Sequence, residues 1–96
     1  MEISEFQKLI DELYGERDRK RGIDKTTLWL IEEIGELAEA VRKGDMQSIE
    51  EEVADVIAWC VSVANIAGID VERAIKKKYP GKCPRCNSIP CKCKSE

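Results

Sequence analysis

Between Leu30 and Ala67 apolar side chains return every three or four residues, and the glycine at position 44 cuts the run in two. That spacing suits an α-helix with 3.6 residues per turn, and no stretch alternates with period two for long enough to form a strand. Leu30, Ile34, Leu37 and Val41 make one stripe, and Ile49, Val53, Val56, Cys60, Val63 and Ala67 make another. Lys43 before Gly44, and Gly68 after the second stripe, are helix stops: a cation meets the negative end of the helix dipole and glycine accepts a left-handed turn. Ser48-Ile49-Glu50-Glu51 reads as a capping box that opens the second of these helices.

An earlier helix starts at the box Ser4-Glu5-Phe6-Gln7 and carries Phe6, Leu9, Ile10, Leu13 and Tyr14 on one side. A charged connector from Gly15 to Lys25 follows, with Asp24 or Thr26 as the cap of the next helix. Asp70 caps a short fourth helix that reaches about Lys78, and Pro80-Gly81 lies beyond. The expected fold is all-α: an antiparallel helical bundle of three long helices plus a short fourth over residues 1–79, with a Cys-rich tail over residues 80–96. So small a body buries a modest share of its surface, and helices with wide apolar stripes usually gain partners by oligomerising. A homodimer or homotetramer is therefore expected. Cys60, on the second stripe, is expected to be an inert core residue.

The chain contains no histidine, which excludes imidazole bases, Ser–His and Cys–His nucleophile pairs and every imidazole-ligated zinc site. No apolar run reaches the roughly 18 residues of a membrane span and the N-terminus lacks a signal-peptide core, so a soluble cytoplasmic protein without membrane contact is expected. Residues 1–75 carry nine basic against eighteen acidic side chains, and residues 76–96 carry seven against one. An acidic body argues against nucleic acid as a partner and suits a protein that collects cations.

The acidic residues are ordered. Glu33 and Glu36 sit one turn apart beside the first stripe, and Glu52 and Asp55 sit one turn apart beside the second, while Glu32 and Glu39 lie opposite the first stripe and face water. Like charges at i, i+3 repel by a few tenths of a kcal/mol on an exposed helix, and by more once burial dries them. Two readings follow. Glutamate is a good helix former that keeps a face soluble, or carboxylates from two facing helices hold Mg²⁺ or Mn²⁺.

Glu32-Glu33-Ile34-Gly35-Glu36, fifteen intervening residues, then Glu52-Val53-Ala54-Asp55 resembles the E-E-x-x-E … E-x-x-D signature of the MazG-like, all-α nucleoside triphosphate pyrophosphohydrolases. The similarity extends to Leu30, to Leu37-Ala38-Glu39-Ala40, to Val56 and to Gly68-Ile69-Asp70, and it covers roughly residues 3–79. It implies a Mg²⁺-dependent enzyme that splits a nucleoside triphosphate between its α and β phosphates. By position, Glu33, Glu36, Glu52 and Asp55 match the family's metal ligands. Glu32 matches the first glutamate of the motif, and either Glu32 or Glu36 is the expected proton acceptor for an attacking water. The related phosphoribosyl-ATP pyrophosphohydrolases share this acidic pattern, a dUTPase-like specificity is a variant of it, and a non-catalytic helical interaction module is the rival from another class.

A triphosphate also needs cations. Arg21 and Lys25 before the second helix, and Lys76, Lys77 and Lys78 closing the fourth, are candidates, although a basic last turn equally complements a helix dipole. Trp29, one turn before Glu33, and Trp59, one turn after Asp55, either stack on a nucleobase or bury themselves between helices or subunits. Asn65 is a candidate base or ribose contact. In the tail, Cys83, Cys86, Cys91 and Cys93 follow the pattern C-x2-C-x4-C-x-C. Zinc held as a minimal knuckle, disulfides, and a reduced tail without fixed structure are all consistent with that spacing.

Overall fold

The computed structural model describes residues 1–94, so the last two positions of the expected tail lie outside it. Four helices follow one another: α1 (Ile3–Arg21), α2 (Ile23–Lys43), α3 (Met46–Ala67) and α4 (Val71–Lys78). No strand occurs among the described residues, and no single helix among them is long and apolar enough to cross a membrane. The all-helical expectation holds, with the cysteine cluster beyond the last helix.

The starts of the long helices differ from the expected ones. Glu2, not Ser4, caps α1, and its amide donates to the Glu5 carboxylate at 2.9 Å. Asp45, not Ser48, caps α3, accepting from the Ser48 amide at 3.3 Å and the Ser48 hydroxyl at 2.8 Å. A carboxylate directly after Gly44 accepts both bonds at once, so the serine becomes its donor. Gly22 takes the cap position of α2, and neither Asp24 nor Thr26 does. The expected stops are in place: Gly44 and Gly68 adopt left-handed conformations at φ 69° and 72°, and Asp70 caps α4 through the Arg73 amide.

The connector read from Gly15 to Lys25 is helix except for Gly22. Its glutamate, arginines and lysines are strong helix formers, and the missing apolar periodicity is replaced by polar ties. Asp11 and Arg19 pair at 2.8 Å above the buried Gly15, whose bare Cα leaves room for the bridge. Asp18, 2% exposed, bonds Arg21 at 3.0 Å, and Arg21 also donates to Thr26, 0% exposed, at 3.2 Å. These contacts fasten α1 to the first turn of α2 across a single glycine.

Gly44-Asp45 folds α2 back against α3, and Trp29 stacks on Trp59 across the hairpin with ring centres 6.3 Å apart. Gln7 ties α1 to the far end of α3. Its amide nitrogen donates to the Asn65 side chain at 2.9 Å and to the Ile69 carbonyl at 2.7 Å, and its oxygen accepts from the Val71 amide. After Gly68 the chain turns by 101° and α4 lies against α1.

Helices α2 and α3 are turned roughly 60° from the expected orientation. The inward face of α2 runs through Thr26, Glu33, Leu37 and Ala40, and Ile34 and Val41 of the expected stripe are exposed. On α3, Glu52, Val56, Trp59 and Val63 face inward, whereas Val53, Ile57 and Cys60 are exposed. The expectation that Cys60 is a core residue is therefore corrected: α1 and α2 cover other sides of α3. Among the described residues Ile10, Ala40 and Val61 alone are buried apolar residues, and the accessible area is 7636 Å². A compact monomer of this mass exposes about 5,600 Å². The radius of gyration, 15.6 Å, likewise exceeds the roughly 12.5 Å of a compact chain of this length.

With so few buried apolar groups, the Asp18–Arg21 pair carries unusual weight. Arg21→Ala leaves a buried carboxylate uncompensated and should cost about 3 kcal/mol. Lys25→Ala, at an exposed position four residues on, should change stability by less than about 0.5 kcal/mol. Urea unfolding of the two variants checks the contrast, and equal midpoints would remove the pair from this role.

Candidate functional site

The turning of α2 and α3 sets the site's chemistry, because it carries Glu33 and Glu52 from the flanks of their helices into the space between them. Both are half-buried, and oxygens of Glu33, Glu36 and Glu52 lie within 4.8 Å of one another. One oxygen of Glu33 and one of Glu52 are sealed from solvent without a hydrogen-bond partner. Oxygens stripped of water are costly unless a cation or proton joins them. Burial first, and then the neighbouring Glu36 and Glu52 carboxyls, push the Glu33 carboxyl from its ordinary 4.5 up to about 7.

Such a set fits a divalent cation with a preference for oxygen: three carboxylates converge, two of their oxygens lack any other partner, and the third residue is exposed and opens toward solvent. Beside it lies a cleft of about 290 Å³ lined by Glu36, Glu39, Lys43, Asp45, Ser48 and Glu52. Lys43 was legible in the sequence only as a helix stop. Its spacing from Glu36 of two helical turns is the signal that puts both on one face. Its ammonium pairs with Glu39 at 2.8 Å, with both groups exposed, so the bond exchanges readily for another anion.

Other expected residues stand elsewhere. Asp55 is not a member of the three-carboxylate cluster. It is exposed and lines a cavity of about 510 Å³ between α1 and α3, together with Asp18, Arg21 and Trp59. Glu32 is exposed and outside the cluster as well. Arg21 is engaged by Asp18 and Thr26, and its guanidinium lies 5.1 Å from the centre of the Trp59 ring. Trp59 is thus flanked by Arg21 and Trp29, and the aromatic pair braces α2 against α3 one turn from each acidic pair. Asn65 is tied to Gln7.

Lys25 is exposed near the start of α2. Lys76 pairs with Glu72 at 3.3 Å, Lys78 sits 5.7 Å from the centre of the Tyr79 ring, and Lys77 is exposed. From Glu52 to the end of α3 is roughly 22 Å at 1.5 Å per residue, and α4 then turns away. The three lysines are accordingly remote from the Glu33, Glu36 and Glu52 cluster of their own chain. The four tail cysteines do come together, with sulfurs within 4.8 Å of one another.

The family model of the MazG nucleotide pyrophosphohydrolase domain matches residues 21–87, from the last residue of α1 to just beyond Cys86. No curated protein matches the chain.

The raised Glu33 value has a consequence for the metal-free protein. Between the ordinary value and about 7 the folded state binds more protons at this group than the unfolded one, so Glu33's contribution to stability is greatest at low pH and is lost as pH rises toward 7. A cation between the carboxylates offsets that loss. Thermal midpoints taken at about pH 5 and about pH 8 should fall with pH in the metal-free protein, and added Mg²⁺ should raise the midpoint more at the higher pH. Pairs of midpoints insensitive to both variables would mean that Glu33 ionises freely.

Proposed function

The chain belongs to the MazG nucleotide pyrophosphohydrolase family, and from that premise we propose that it hydrolyses nucleoside triphosphates, ribo- or deoxyribo-, to the monophosphate and pyrophosphate in a Mg²⁺-dependent reaction. The observation that carries the reading is the convergence of Glu33, Glu36 and Glu52 with two sealed, unpartnered oxygens. Glu33, Glu36 and Glu52 would hold the cation, and Asp55 joins them through its place in the motif. Bound Mg²⁺, or Mn²⁺, supplies positive charge to the phosphate oxygens and acidifies a water.

The remaining roles fall to the chain's own groups. Glu36 is the exposed member of the cluster, so its carboxylate takes the proton of the attacking water, with exposed Glu32 as the other acceptor. The chain contains no histidine, so the base is a carboxylate. Lys43, on the cleft beside Glu36, exchanges Glu39 for a phosphate oxygen. Arg21, Trp29 and Trp59 set the helix spacing, and Lys25 remains a free cation on α2. The proposed setting is the cytoplasm, and the proposed role is removal of unwanted nucleotides from the pool.

Assembly is part of the same reading. The exposed strips Ile31, Ile34 and Val41 on α2, and Val53, Ile57 and Cys60 on α3, together with the large accessible area, favour a homodimer or homotetramer in which copies cover these faces. In it Lys76, Lys77 and Lys78 of one copy are available to a neighbour's substrate.

Pyrophosphate release from a panel of NTPs, dNTPs and modified nucleotides, with Mg²⁺ and again with EDTA, tests the reaction. Glu36→Gln or Glu52→Gln should lower the rate by about 100-fold or more with helical content unchanged. Cleavage of phosphoribosyl-ATP alone would move the substrate assignment to that compound, and no cleavage of any of these would favour the interaction module. Light scattering should give a multiple of 10.9 kDa, reduced by Ile57→Lys; a monomeric wild type would overturn the assembly.

A further inference from the structure

Beyond α4 the described chain forms no helix, and its interior is made of sulfur. Cys83, Cys86, Ser88 and Cys93 are its half-buried residues, while Ile89, its one branched aliphatic side chain, is 76% exposed. A segment of this length has no apolar core with which to hold a shape. It nonetheless has one. Asn87, at φ 60°, turns the chain back, its amide bonds the Cys83 carbonyl at 2.8 Å, and the Cys83 amide bonds the Ser88 carbonyl at 3.1 Å. The Lys92 amide points at the Cys86 sulfur and the Cys93 amide at the Cys91 sulfur, each at 3.3 Å.

We propose that Cys83, Cys86, Cys91 and Cys93 form a closed, structural zinc site, separate from the carboxylate cluster and independent of the reaction assigned to it. The four sulfurs lie within 4.8 Å of one another, and those of Cys83 and Cys93 are 3.7 Å apart. A tetrahedral ion with bonds of about 2.3 Å requires sulfur–sulfur edges of about 3.8 Å. All four thiols are free, and 3.7 Å is well beyond a disulfide bond. Binding exchanges the four thiol protons for one Zn²⁺ and leaves a centre of formal charge −2. Lys82, Arg85, Lys92 and Lys94, the only charged residues between positions 80 and 94, compensate it.

Amide-to-sulfur hydrogen bonds of the kind made by Lys92 and Cys93 favour the thiolate form that zinc needs. The filled d shell of zinc adds no ligand-field preference to the tetrahedral arrangement of four thiolates, so the uneven C-x2-C and C-x-C halves are tolerated. Four protein ligands leave no open position, which makes the ion a fold-holding element and not a reaction centre.

The full chain, purified without chelator under reducing conditions, should contain one equivalent of zinc by elemental analysis. Replacement by Co²⁺ should give the visible bands of a tetrahedral thiolate complex. Cys86→Ser and Cys93→Ser should each lose the metal, whereas Cys60→Ser should keep it. Removal of zinc should leave the helical circular dichroism unchanged. A metal-free protein, a chain four hydrogens lighter by mass, iron in place of zinc, or cobalt bands that survive the tail substitutions would each overturn the assignment.

Discussion

Everything in this molecule hangs on an ion pair placed where an apolar core would normally be. Asp18 and Thr26 are the largest side chains that are fully buried, and Arg21 joins them across the break between α1 and α2. A buried pair of this kind contributes little net stability compared with a well-fitted apolar cluster, but removal of one partner is costly. Its value here lies in position. One glycine separates two long helices, and the guanidinium fixes the angle between them while lying against Trp59 of α3. Trp59 in turn meets Trp29. A single cation thereby touches side chains of all three long helices.

From that relation comes the orientation of the acidic residues. Had α2 and α3 met along their most apolar stripes, Glu33 and Glu52 would lie on the flanks in water and behave as ordinary carboxylates. Because the helices meet about a sixth of a turn away, two carboxylates occupy the seam and Ile34, Val41, Val53 and Ile57 are left outside. One rotation therefore generates both the strained acidic cluster and the bare apolar strips. A monomer so built spends apolar surface on solvent in order to place charge in its interior.

The sequence reports those features whose cause is local. Gly44 and Gly68 end helices because a left-handed residue must stand there, and that requirement is written in the residue itself. Asp70 as a cap is legible for the same reason. The helix through Glu16–Arg21 is not, since its reason for existing is Asp18, whose burial depends on residues in α2 and α3. Nor is the inward face of α2: both sides of the helix are apolar enough, and periodicity cannot choose between a strip that meets α3 and one left open. Cys60 was misplaced by that ambiguity. The acidic motif was legible as spacing, but the convergence of Glu33, Glu36 and Glu52 depends on tertiary geometry.

The two clusters of candidate ligands are chemically pure. Between α2 and α3 every converging donor is oxygen, beyond α4 every converging donor is sulfur, and no histidine is present anywhere to blur the division. Imidazole is a donor that many divalent ions share, and its absence leaves the two sets of donors with different preferences. A thiophilic ion such as Cd²⁺ is favoured at the sulfur end, and a hard ion such as Ca²⁺ at the carboxylates. Two ions of different class offered together would therefore be sorted by preference between the two ends of the chain.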